Sequence, residues 1–370
     1  MGGSLIADNW SLQNIAELFA TGVDDSSAAA ISVNKSADAH VYEPLPRAAI
    51  SFEALFDFIT DIILRDQLLV DQRFTSTWTG LDTDLRKLAD ANVIRPLEFL
   101  AQADKLAGPR NEFVERLCLT ESLRAAHQKN SEEWARARQT PDHTLSATLW
   151  GGAGMLARAF ISEKGYTPHP LRRRLFQQAG IVLPHEDAAA RLVGAIQEKR
   201  ASISRSTLGG DALYALRLNL PPLPLIVIRE ASSASQLLTV ALQVRSEYQG
   251  LRDWLREYQQ ALVNSDSSRW AQFEKTLRSI STYIESLRGI VDSNAPTFTA
   301  GVGVLKVALK GHPVEAMKNQ FGVRATVNRL ILSGSGLDEL KRLLGFFGHR
   351  HSGVAVKLID HFRTKEQPRA

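Results

Sequence analysis

The sequence predicts a mainly α, multi-helical protein with a long antiparallel helical hairpin and a small basic α+β C-terminal subdomain. Three observations carry this expectation. Apolar residues recur at three-four spacing along most of the chain, the signature of helices with one buried face. Two long stripes of this kind follow one another after Ile228, joined by a short polar stretch. The last part of the chain instead shows short alternating apolar runs among basic residues. The expected organisation is an N-terminal helix and acidic linker over residues 1–45, a helical domain over 46–220, the hairpin over 225–292 and the basic subdomain over 296–365.

Taken in order, Asp8 or Ser11 can cap a short helix whose apolar face is Leu12, Ile15, Leu18 and Phe19. Thr21 to His40 is rich in Asp, Ser, Ala and Asn without sustained periodicity, and reads as a linker or mobile loop. From Ile50 to Phe74, the spacing of Phe52, Leu55, Phe56, Ile59, Ile62 and Ile63 predicts a buried helix. Asp57 and Asp61 share a face of it, which favours a solvated acidic stripe over a cation site. Helical patterns continue over Leu81 to Ala91 and Leu97 to Leu106, after which Pro109 is placed as a first-turn proline. Cys118 falls one turn after Val114 and reads as a small core residue.

Leu145 to Ile161 predicts a further helix, entered through Pro141, with Gly151, Gly152 and Gly154 allowing a neighbouring element to come close. Pro168 and Pro170 mark a boundary, and His169 and His185 beside prolines carry no assigned role. Glu186 and Asp187 suit the first turn of a helix running towards Arg200. Pro221, Pro222 and Pro224 read as a linker, and Leu225 to Ile228 as a short buried strand. Leu237, Ala241, Val244, Tyr248, Leu251, Leu255, Tyr258 and Leu262 then predict one helix about 39 Å long. The polar stretch Asn264 to Ser268 stops it. Trp270, Phe273, Leu277, Ile280, Ile284, Leu287 and Val291 repeat the spacing and form the second arm. Strands are expected at Phe298–Leu309, Val327–Leu332 and Val354–Ile359.

Hydrophobic residues make up 44% of the 370 and charged residues 23%, a globular balance that excludes wholesale disorder. A single cysteine excludes an internal disulfide and a cysteine-based metal centre, and points to a reducing compartment. No run of 18 apolar residues or basic-then-apolar N-terminus is read, so no membrane is expected and the compartment is taken as the cytoplasm. The net charge of +4 is small, but its distribution is polar. Residues 1–100 carry 7 basic and 15 acidic side chains, residues 306–370 carry 12 and 5. Such ends attract each other within a chain or across a dimer, and a basic patch also suits phosphates.

No catalytic signature emerges. Ser333-Gly334-Ser335-Gly336 follows a predicted strand but lacks the third glycine of a dinucleotide loop and the Lys-Ser/Thr pair of a P-loop, so Ser335 with Asp338 reads as a helix cap. Arg138 with His143, and Arg342 with His349, have the spacing of Arg/His pairs in helical metal-independent ribonucleases, but Pro141 breaks the first and Leu343 departs from the second. Arg172, Arg173 and Arg174 fan round a helix and read as a solvated helix start, with phosphate contact as the alternative. His349, Arg350 and His351 suit a basic loop touching phosphate or carboxylate, and no cofactor or metal is expected. The expected function is a non-catalytic scaffold or regulatory subunit binding a protein partner or a second copy through helical surfaces. The alternatives are nucleic-acid binding, and a ribonuclease. The candidate contact residues are Arg172, Arg173, Arg174, Lys341, Arg342, His349, Arg350 and His351.

Overall fold

A computed structural model describes residues 3–23, 27–71, 82–97, 103–183, 189, 192–193, 222–269, 271–273, 275, 357–358 and 360–362. These are mainly helical, with a small sheet, and no described helix is long and apolar enough to cross a membrane. The chain divides into two compact units. One comprises residues 4–58, 67–186 and 362–370; the other comprises 1–3, 59–66 and 187–361.

The first unit is built on four parallel strands: β1 (Ser4–Ala7), β4 (Gln67–Asp71), β5 (Ile94–Leu97) and β6 (Gly165–Thr167), in the order β5-β4-β1-β6. Leu5, Ile6, Leu68, Leu69 and Val70 are buried, as strands of a parallel sheet require. The sequence instead places 67–71 inside a long helix. That helix, α2 (Arg47–Leu64), ends before it, because a five-residue apolar run carries no period that separates a buried strand from a buried helix. Leu97 likewise closes β5 where a helix is expected.

Asp8 caps α1 (Asn9–Thr21), accepting from the amides of Trp10 and Ser11, and Leu12, Ile15, Leu18 and Phe19 are buried as predicted. The expected linker over 21–40 is mostly an antiparallel hairpin of β2 (Ser27–Asn34) and β3 (Ala39–Pro46). Its turn is set by Asn34, whose side-chain oxygen accepts from the amides of Ser36 and Ala37, and by Asp38 at φ 46°. Three successive alanines give β2 too little apolar contrast for alternation to be legible.

α3 (Asp82–Asp90) is followed, after β5, by α4 (Ala103–Leu117), which contains Pro109 in its interior and not at its first turn. The carbonyl left without an amide there is that of Lys105, on an exposed turn where water can serve. Phe113, Val114, Leu117 and Cys118 pack into a core with Leu149, Ala153 and Leu156. Burial pushes the Cys118 thiol up to about 11, so it behaves as an apolar side chain. α5 (Glu121–Ala137) starts on Thr120 and ends on Arg138 in the left-handed region. α6 (His143–Leu145), a π-helical turn (Ser146–Trp150) and α7 (Gly151–Ser162) then run on continuously. After β6, Pro170 is the first residue of α8 (Pro170–Gln178).

In the second unit, Pro222 opens α9 (Pro222–Glu230), so Pro222 and Pro224 mark a helix start, and Leu225 to Ile228 are helical where a strand is expected. The apolar stripe from Leu237 to Tyr258 is buried as predicted, but it runs along two helices, α10 (Leu237–Glu247) and α11 (Gln249–Val263), broken at Tyr248. The Arg252 guanidinium takes the Arg245 carbonyl, the acceptor that residue 249 uses in an unbroken helix. Arginines also finish α2. Arg245 donates to the carbonyls of Ile62 and Asp66, Arg252 to that of Ile63 (3.1 Å), and Arg256 grips the Asp66 carboxylate through two nitrogens at 2.9 and 3.1 Å. Phe273 is buried with its ring 5.7 Å from that of Trp254 and 5.1 Å from that of Tyr258. Most of the second arm, the glycine loop at 333–336 and most of the basic subdomain lie outside the described residues. Residues 357, 358 and 360–362 are helical, within and just beyond the stretch expected as a strand.

Candidate functional site

In the first unit the connections out of β1 lead to β4 and β5 on one side, while β6 joins on the other. Such a reversal leaves a crevice beyond the carboxyl ends of the two strands. β1 ends into Asp8 and β6 into His169, and these two residues meet. The Asp8 carboxylate accepts from the His169 amide (2.9 Å), the Tyr166 hydroxyl and Arg172 Nη1 (2.7 Å), besides the two amides it caps. Burial alone would raise this carboxyl, but Arg172, the Tyr166 hydroxyl and the His169 amide together hold it below the usual aspartate range. Burial next to Asp8 drives the Tyr166 hydroxyl well above the usual tyrosine value, so it stays a donor.

His169 is fully buried and stacked on Trp10, with ring centroids 3.8 Å apart. Its Nδ1 accepts from the Leu171 amide at 3.3 Å, capping α8. The neutral ring therefore carries its proton on Nε2, which stands 2.9 Å from Asn14 Nδ2; two donors cannot face each other, so the Asn14 amide must be turned to present its oxygen. Burial, reinforced by the charges of Arg172, Arg173 and Arg174 and opposed by Asp8, lowers this ring to about 3. The starts of α1 and α8 are thus occupied by the protein's own acceptors, Asp8 and His169.

Arg172, 2% exposed, links this floor to the wall: its Nε donates to the Ala147 carbonyl at 2.9 Å, inside the π-helical turn. A side chain inserted there accounts for the widened turn, which carries Trp150 to the crevice. A Cβ on Gly151 would collide with Arg172 Nη2, and one on Gly152 would sit 3.1 Å from the Phe176 ring. Gly151→Ala should therefore destabilise the protein by about 1–3 kcal/mol. Urea midpoints of the wild type and this variant check the loss.

The crevice encloses about 800 Å³. Arg47, Arg110, Arg158 and Arg172 line it, with Trp10, Trp150 and His143, while β2 contributes only Ala28 and Ala29. Among the described residues no Asp or Glu lines it. Arg47 is paired with Glu17, Arg158 with Asp71 (3.3 Å) and Arg172 with Asp8. Arg110 differs. It has no ion pair among the described residues, its guanidinium lies 4.1 Å from the centre of the Trp150 ring, and its Nε, like that of Arg158, is buried without a hydrogen-bond acceptor. Burial lowers its pKa.

Of the residues singled out in the sequence, Arg172 is in the crevice floor and not a solvated helix start. Arg173 pairs with Glu53 and Asp57, and Arg174 with Glu53, so the expected acidic stripe on α2 is a buried or half-buried partner surface. Burial pushes the Glu53 and Asp57 carboxyls up, against the pull of Arg173. Asp61 is buried and paired with Arg65. Among the described residues no group of three or more His, Cys, Asp or Glu side chains is placed to hold a metal ion. Arg138 and His143 stand on separate elements, Arg138 closing α5 and His143 opening α6. Lys341, Arg342, His349, Arg350 and His351 lie outside the described residues. The chain matches no protein-family profile, no curated protein and no solved structure.

Proposed function

We propose that the chain acts by binding a small anionic ligand in the crevice beyond β1 and β6. The observation that carries this reading is a wall that, among the described residues, has four arginines and no carboxylate, in which Arg47, Arg158 and Arg172 have carboxylate partners and Arg110 has none. A volume of about 800 Å³ falls within the roughly 300–1,000 Å³ of small-molecule sites. The role expected from the sequence is different, a scaffold or regulatory subunit that binds protein partners through helical surfaces; here the ligand is a small anion and the surface is the crevice.

Trp150, 39% exposed beside Arg110, supplies a reporter. Titration with inorganic phosphate, ATP or citrate at low ionic strength should give saturable calorimetric binding and a change in tryptophan fluorescence for at least one of them. Affinity should weaken as salt shortens the screening length. If none of these anions saturates at millimolar concentration, the reading fails.

A further inference from the structure

We infer that Arg110 and Arg158, on either side of Gly154, form the seat for a phosphate group, so that the ligand of the crevice is a phosphorylated small molecule. This rests on the anion-binding reading above and narrows it.

Gly154 leaves room for both side chains. A Cβ at that position would stand 3.1 Å from Arg158 Nη1 and 3.7 Å from Arg110 Cδ, so both side chains run past the same bare stretch of α7. Arg158 is held from behind: it pairs with the buried Asp71 and donates to the Gly154 carbonyl at 2.8 Å. The Arg110 guanidinium sits 4.1 Å from the centre of the Trp150 ring. Both arginines line the crevice, where among the described residues no carboxylate joins them in the lining, so their charges favour an anion there.

The number of acceptors decides the chemistry. A carboxylate has two oxygens and saturates one guanidinium fork; a phosphate group offers three or more and can serve two at once. Helix N-termini also seat phosphate, but those of α1 and α8 are already occupied by Asp8 and His169, and the start of α2 brings a further cation, Arg47, to the crevice. Gly154 is thus required for the seat as well as for packing.

The test uses calorimetry on the full chain with three probes: inorganic phosphate, ATP and citrate. Phosphate or ATP should bind, and Arg110→Ala should weaken that binding about tenfold to a hundredfold, with Arg110→Lys between the two. Arg110 makes no hydrogen bond or ion pair among the described residues, so Arg110→Ala should keep the wild-type urea midpoint. Arg158 is left intact because its removal would strand Asp71. Tighter binding of ATP than of inorganic phosphate assigns the group to a nucleotide, and equal binding assigns it to free phosphate; either upholds the seat. Citrate binding with both phosphate probes inert would overturn the phosphate inference and leave the anion reading standing. Unchanged phosphate affinity in Arg110→Ala would also overturn it. Failure of all three probes would remove both.

Discussion

Replacing Arg172 with alanine should lower the folding stability by about 3–5 kcal/mol, the usual consequence of stranding one member of a buried ion pair. The pair is a demanding one. Arg172 and Asp8 are both almost wholly excluded from water, 2.7 Å apart. The carboxylate also accepts from two amides of α1, the His169 amide and the Tyr166 hydroxyl. Without the guanidinium these contacts surround an uncompensated buried charge. Arg172 also donates to the Ala147 carbonyl and to Asn9, so its loss releases the π-helical turn that positions Trp150. Asp8→Asn combined with Arg172→Met should recover part of the loss, since an amide still accepts at the helix start and no lone charge remains. The cycle of single and double variants in urea should give a coupling of about 2 kcal/mol or more. A loss below about 1 kcal/mol in Arg172→Ala would show that the pair is not the clamp between β1 and β6 described above.

That clamp explains how much of the site could be read in advance. Asp8 is visible in the sequence as a helix cap because capping is local: acceptor and amides lie within three residues. The same holds for the stripe through Leu237, Val244 and Tyr258, whose burial follows from periodicity alone. Its interruption at Tyr248 does not, since it depends on where one arginine side chain turns. Asp8 meets Arg172 across 164 residues, and no spacing rule links them. The three arginines looked alike as a run, yet the turn of α8 sends Arg172 into the floor and Arg173 and Arg174 towards α2. β1, β2, β4, β5 and β6 were illegible for a different reason. They are short, or rich in alanine, and carry no period strong enough to outweigh a helix. With all four strands of the parallel sheet unread, the strand order that creates the crevice, and with it Arg110 and Arg158, had no basis in sequence.

Stability should also fall as the pH drops below about 6.5, with a slope that approaches 1.4 kcal/mol per pH unit from His169 alone. In the unfolded chain this ring titrates at 6.5; in the folded protein burial and the neighbouring arginines lower it to about 3. Between those values the unfolded state takes up a proton that the folded state refuses, so acid favours unfolding. The contribution is fully present above pH 6.5 and is lost as pH falls towards the folded value. A protonated Nδ1 could no longer accept from the Leu171 amide, which gives the refusal a structural cause. Asp8 acts in a lower window: its folded value lies below 3.8, so its contribution is complete above that pH and is lost as pH falls through the folded value. Half-buried His127 shares the direction of His169, whereas Glu53 and Asp57, whose carboxyls are raised, oppose it. His169→Asn separates these terms, because asparagine can still cap α8 but does not titrate. The variant should be less stable at pH 7, having lost the stack on Trp10, but flatter between pH 6.5 and 4. Subtracting its urea-derived curve from that of the wild type should leave a difference of about 2 kcal/mol between pH 7 and 5. Parallel curves would mean that His169 reaches solvent in the folded protein, and the closed floor of the crevice would have to be abandoned.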